Sequence, residues 1–87
     1  MLYRLFTENK NYEQVKKLVA NEFDGYTLIK AEGVWQGESE HSLIIEIEIN
    51  SPVSFYRRIE VLCYAIKKLN QQDKILVQKI ECESKLV

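Results

Sequence analysis

Six short segments that alternate between strand and helix patterning predict an α+β sandwich for this 87-residue chain. Three observations carry that prediction. Leu43-Ile-Ile-Glu-Ile-Glu-Ile49 alternates cleanly, with Leu43, Ile45, Ile47 and Ile49 on one side and Ile44, Glu46 and Glu48 on the other, as a strand with one buried face does. Phe55, Ile59, Leu62, Ile66 and Leu69 recur at steps of four, three, four and three, the apolar stripe of a helix, and Cys63 widens it. The full order reads strand, helix, strand, strand, helix, strand. Two helical crossovers and one hairpin make the split β-α-β pattern, a ferredoxin-like βαββαβ sandwich with two helices on one face of a four-stranded antiparallel sheet. The first and third strands are expected in the middle, the second and fourth at the edges.

Taken in order, Leu2-Tyr-Arg-Leu-Phe-Thr7 is an aromatic-rich run closed by the polar Glu8-Asn-Lys-Asn11, an opening strand and its turn. Asn11 suits a helix N-cap, with Gln14 at capping-box spacing. Tyr12, Val15, Leu18, Val19 and Phe23 then share one helix face opposite Glu13, Lys16, Lys17 and Asn21, until Asp24-Gly25 stops the helix. Tyr26–Ala31 is β-prone and extends toward Trp35. Gly37-Glu-Ser-Glu-His41 is expected as a polar turn. Ser51 and Pro52 fit the N-cap and first position of the second helix. Asn70-Gln-Gln-Asp73 ends that helix, and Lys74–Glu83 reads as the last strand. Tyr56, Val61 and Tyr64 fall off the main stripe and leave apolar surface outside.

Length allows one domain, residues 1–87, burying roughly 60–65% of its unfolded surface. Stability on the order of 4–13 kcal/mol follows, so association with further copies would help. Apolar residues at 46% and charged residues at 29% are those of a globular chain. The apolar runs are too short to cross a bilayer, and Met1-Leu-Tyr-Arg-Leu-Phe6 lacks the long apolar stretch of a signal peptide, so no membrane and a cytoplasmic address are expected. A net charge of −1 gives no field for a polyanion, which argues against nucleic acid. Cys63 and Cys82, in apolar-periodic segments and far apart, read as buried free thiols; with a single His they are poor material for a metal site.

Functions carried on this topology can be tested against residues. RNA-recognition domains stack bases on central-strand aromatics, where this chain has Glu46 and Glu48. Metal chaperones need a C-x-x-C loop that is absent. An acylphosphatase needs a Gly-rich anion loop after the first strand, which Glu8-Asn-Lys-Asn11 does not supply. Glu38, Glu40 and His41 suggest acid–base chemistry, but neighbouring hairpin positions point in different directions and no nucleophile lies beside them. Trp35, between Gly33 and Gly37, suits ligand stacking or contact with another subunit, against the plainer role of capping the core edge. Arg57-Arg58 and Lys67-Lys68, about ten residues apart on one helix, suit an anion or simply a solvated face.

Gly33-x-Trp35-x-Gly37-x-x-Glu40-x-Ser42, then Ile44-Ile-Glu-Ile47, a helix, and Asn70-Gln71 before Ile75-Leu-Val77 resemble small phage, plasmid and bacterial proteins with a PII/CutA-like ferredoxin fold. The resemblance spans roughly residues 26–80. It implies a compact homo-oligomer, often a trimer, whose open sheet faces pack together and whose inter-subunit clefts receive a small molecule or nucleotide. The short connection between the second and third strands departs from the long PII loop, and the PII nucleotide-binding loop is not recognisable. The resulting expectation is a non-enzymatic oligomeric binding protein with no catalytic residue, metal or cofactor. Trp35, Glu38 and Glu40 are its candidate cleft residues, and Arg57 and Arg58 its candidate anion contacts. The alternative is an interaction module, a mobile-element inhibitor that occupies a host protein through a sheet edge or the acidic hairpin.

Overall fold

The computed structural model of the chain describes residues 1–50 and 54–87, with the side chains of all of these except Ser54 and Phe55. The elements are β1 (Leu2–Glu8), α1 (Tyr12–Glu22), β2 (Thr27–Trp35), β3 (Glu38–Glu48), α2 (Ser54–Asn70) and β4 (Leu76–Ile80). All strand pairs are antiparallel and the sheet order is β2-β3-β1-β4, the arrangement expected of a ferredoxin-like sandwich. The expected Ser51 cap, Pro52 and the Phe55 side chain lie outside the described residues.

Strand alternation builds the core. Tyr3 and Leu5 of β1 and Leu43, Ile45 and Ile47 of β3 face the helices and are buried. Val15 and Val19 of α1 and Ile59, Leu62, Cys63 and Ile66 of α2 close over them, with Phe23 and Ile49 completing the cluster. Nine of these side chains, the isoleucines Ile45 and Ile47 of β3 and Ile59 and Ile66 of α2 among them, are essentially sealed from water. Tyr12 and Leu18 pack at the margin of the same cluster.

Four local expectations are corrected. Asn11 is not a side-chain N-cap: its backbone is left-handed (φ 54°, ψ 45°), unlike the extended backbone from which a cap reaches back. Its amide instead donates to the Leu69 carbonyl and to Asn70 Oδ1, tying the start of α1 to the end of α2. Leu69 is at the surface, and Asn70 takes the buried place beside it. Asn70 is accommodated because Nδ2 donates to Gln72 Oε1 at 2.9 Å, with longer contacts to Thr7 Oγ1 and the Glu8 carbonyl. β4 is shorter than expected, because Ile80 already pairs with Leu2, the first residue of β1, and residues 81–83 have no strand beside them. Cys63 is buried as expected, whereas Cys82, beyond that strand, is exposed.

Candidate functional site

Strand register decides which side chains share the face of the sheet away from the helices. Across it runs an unbroken apolar row: Ile29 pairs with Ile44, Ile44 with Phe6, and Phe6 with Leu76, one residue from each strand. Ile29 and Leu76, at the two edges, are 39% and 59% exposed. The next row toward the Met1 end is polar, Thr27, Glu46, Arg4 and Gln78, and within it the Arg4 guanidinium holds Glu46 at 2.8 Å. In the other direction come Ala31, Ser42 and Glu8, then Gly33 with Glu40, then Trp35 with Glu38.

The hairpin end of this face differs from the sequence expectation. The turn is Gln36-Gly37 alone, both at positive φ (51° and 80°), as in a type I′ turn. Glu38–His41 therefore belong to β3 instead of forming a loop. The last contact with β1 is the Asn9 N–H donating to the His41 carbonyl at 3.0 Å, so the hairpin projects beyond the core as a two-stranded arm. Trp35 stands on this arm 74% exposed, which rules out a role in capping the core. Trp35, Glu38 and Glu40 share the open face, while His41, paired with Glu32, faces the opposite way. The three do not form an acid–base set with the imidazole, and no group of three metal-ligating side chains occurs among the described residues.

Arg57 and Arg58 lie elsewhere. α2 follows the far end of β3, roughly 33 Å along the strand from Glu38. There the Arg58 guanidinium lies over the Phe23 ring at 4.9 Å and reaches Glu22 at 3.5 Å, and Arg57 is exposed. Within one copy the acidic arm and the two arginines are at opposite ends of the molecule. Each end has a cavity. One, of about 370 Å³, is lined by Glu22, Phe23, Asp24, Glu48 and Arg58 among others. The other, of about 290 Å³, opens beside the arm and is lined by Phe6, Glu8, Glu40, Ser42, Asp73 and Lys74, with Thr7 and Gln72 also on its wall.

Sequence reasoning singled out Glu40 but missed Phe6, Glu8, Asp73 and Lys74. Alternation in β1 does put Phe6 on the same side as Arg4 and Glu8; what brings that side to Glu40 is the β1–β3 register, which no local pattern encodes. Cys63 is no hidden nucleophile: burial pushes its thiol up to about 11, with Lys67 opposing and Glu60 reinforcing, so it stays protonated near neutrality.

No protein-family model and no curated protein matches the sequence. Among solved structures, the chain is similar to a phage SAM lyase in its apo state, at TM-score 0.67 and 18% identity over 87% of this chain and 75% of that one. It is also similar to a de novo designed protein, Foldit4, at TM-score 0.53 and 16% identity over 94% of both. At these identities the likeness is one of fold. The first neighbour nonetheless corrects the expectation that this chain is not an enzyme: an enzyme is built on this arrangement of strands and helices, so the lack of a nucleophile–base pair in the sequence is no ground for excluding catalysis. No described helix is long and apolar enough to cross a membrane.

Proposed function

We propose that this chain is a self-associating enzyme of the lyase type that binds and cleaves S-adenosylmethionine. The observation that carries the reading is the likeness in fold to a phage SAM lyase over 87% of the chain. The open face supplies chemistry that suits such a substrate. A sulfonium is a cation, and an exposed indole beside carboxylates attracts cations through the ring's negative face and through simple charge. Trp35 pairs across the hairpin with Glu38, and Glu40 follows on the same face. Cleaving a carbon–sulfur bond of a sulfonium sends the bonding pair to sulfur, which leaves as a neutral thioether. The carbon it leaves takes a new bond from within the same substrate, from its own carboxylate oxygen or, with loss of a neighbouring proton to a carboxylate such as Glu40, as a double bond. A site that excludes water favours loss of that charge.

Self-association supplies the exclusion. The row Ile29–Ile44–Phe6–Leu76 crosses all four strands with no helix over it, and a second copy laid on it would bury it together with the Arg4–Glu46 pair. A trimer with clefts between subunits, as the PII-like resemblance implies, brings the arm of one copy toward a neighbour. Such an arrangement also offers a way for Arg57 and Arg58 to approach a cleft that one copy cannot give them.

Incubating the purified protein with S-adenosylmethionine and following adenosyl-containing products by chromatography and mass spectrometry tests the reading. Time-dependent loss of substrate with release of a neutral thioether nucleoside is the expected result. Intact substrate after prolonged incubation, with Trp35 fluorescence unchanged on titration, would remove it.

A further inference from the structure

We propose that the cavity beside the hairpin arm holds the amino-acid end of a cationic amino-acid ligand, and that the rest of that ligand runs along the open face of the arm, over Ser42 and Glu40, to Trp35. The proposal rests on the reading of the chain as an S-adenosylmethionine enzyme for the identity of the ligand, but not for the cavity's preference.

The preference comes from charge and from which groups are already occupied. The cavity presents three carboxylates, Glu8, Glu40 and Asp73, and one ammonium, Lys74. Glu8 is engaged by Lys10 at 3.5 Å. Gln72 is spent on structure: its Oε1 accepts from Thr7 Oγ1 at 2.6 Å and from Asn70, and its Nε2 donates to the Lys74 carbonyl at 3.0 Å. These bonds hold the loop after α2 against β1, so the wall is fixed before any ligand arrives. Glu40, Asp73 and Lys74 form no ion pair with another described residue, and they are left to meet a ligand. Two carboxylates and one ammonium complement a molecule with two positive charges and one negative. An α-amino acid with a further positive charge on its side chain has that pattern, and Phe6 offers a ring face to the alkyl portion.

Size and shape agree. At about 290 Å³ the cavity is at the lower end of small-molecule sites, of a size for an amino acid and too small for a whole nucleoside conjugate. The remainder must leave along the open face of the arm, where Gly33 lets the Ser42 and Glu40 side chains lie low against the strand. Gly33 sits in ordinary extended strand, so its lack of a side chain answers to space and not to backbone conformation. A Cβ there would stand 2.7 Å from Ser42 Oγ and 3.5 Å from Glu40 Oε1, because both side chains lean across it. Two residues on, Trp35 closes that path with an exposed ring for a base to stack on.

The test is titration of the ¹⁵N-labelled protein with S-adenosylmethionine, S-adenosylhomocysteine, methionine and lysine, followed by amide shifts and Trp35 fluorescence. It is repeated with Glu40→Gln and Gly33→Ala, whose folding is checked by circular dichroism. S-adenosylmethionine is expected to move the amides of Phe6, Glu40, Ser42 and Lys74 and to quench Trp35. It should bind at least tenfold more tightly than the uncharged thioether, and each variant should lose at least tenfold. Binding that moves amides elsewhere and survives both substitutions overturns the cavity assignment while leaving the enzyme reading intact. Shifts of the same amides by lysine, with none by S-adenosylmethionine, support the cavity and overturn the substrate reading, whereas equal shifts by methionine and lysine overturn the cavity's preference for a cationic amino acid. No shift of any amide by any of the four overturns both.

Discussion

Cys63 and Cys82 are alike in the sequence, each in an apolar-periodic stretch, and opposite in the structure. Cys63 lies on α2 against the core, where burial raises its thiol to about 11 from an ordinary 9.0. The folded-state value is above the unfolded one, so its contribution to stability is intact below pH 9 and is lost as pH rises toward 11, where the unfolded chain ionises and the folded one resists. The loss should approach about 3 kcal/mol by the free-energy equivalent of the shift. Urea unfolding at pH 8 and at pH 10.5 checks this against Cys63→Ala, which shares every other titration: the gap between the two proteins should narrow at the higher pH. A constant gap would mean the thiol is not desolvated. Asn70 shows the same limit on residue-level reading from the other side. A polar residue after a helical stripe reads as the end of a helix, and it is one, yet it is also buried at 3% exposure. Only the meeting of α2 with Thr7, Glu8 and Asn11 shows why, since each end of its amide finds a partner.

Elements were legible wherever one face meets the core and obscure where neither does. β3 from Leu43 onward announces itself by alternation, and α2 by its stripe from Ile59 to Ile66. Glu38–His41 looked like a turn because all four are polar. On an arm with water on both faces polarity is what a strand has too, so hydropathy loses its power to separate them. The deciding chemistry was instead Gln36-Gly37, a pair able to take left-handed backbone twice in succession. That assignment has a consequence for stability. Gln36 adopts φ 51° without glycine's freedom, and Gly37 adopts φ 80° with it. Gln36→Gly should therefore relieve strain and Gly37→Val introduce it, by about 1 kcal/mol in each direction. In a domain of this size that is roughly 4–8 °C in the melting midpoint. Differential scanning calorimetry should find shifts of opposite sign; two shifts of the same sign would show that the turn is of another kind.

For the whole molecule, the order of elements was enough to predict the layers and the strand neighbours, because crossover rules leave few alternatives. Register was not available to the same reasoning. The apolar row on the open face takes one residue from each strand, and in the sequence Phe6, Ile29, Ile44 and Leu76 have nothing in common. Once aligned they form a continuous apolar band on a sheet with helices on the other side only, a surface that favours burial against a further copy. Glu8, Glu38 and Glu40 are grouped on one side of that band, and Arg4 with Glu46 on the other, so a packed assembly can bury the band while keeping the acids of the arm at its rim. Ile29 and Leu76 are the members to change, since both are exposed edge residues whose replacement leaves the core under the helices untouched. Light scattering of the wild type should give a mass near three times the 10.3 kDa of one chain. Ile29→Lys combined with Leu76→Lys should give the mass of one chain with the circular dichroism of the folded protein retained, because two ammonium groups would have to be desolvated in the contact. A single-chain mass for the wild type would mean that the open face meets no further copy, and an assembly that survives both lysines would place the contact between copies elsewhere.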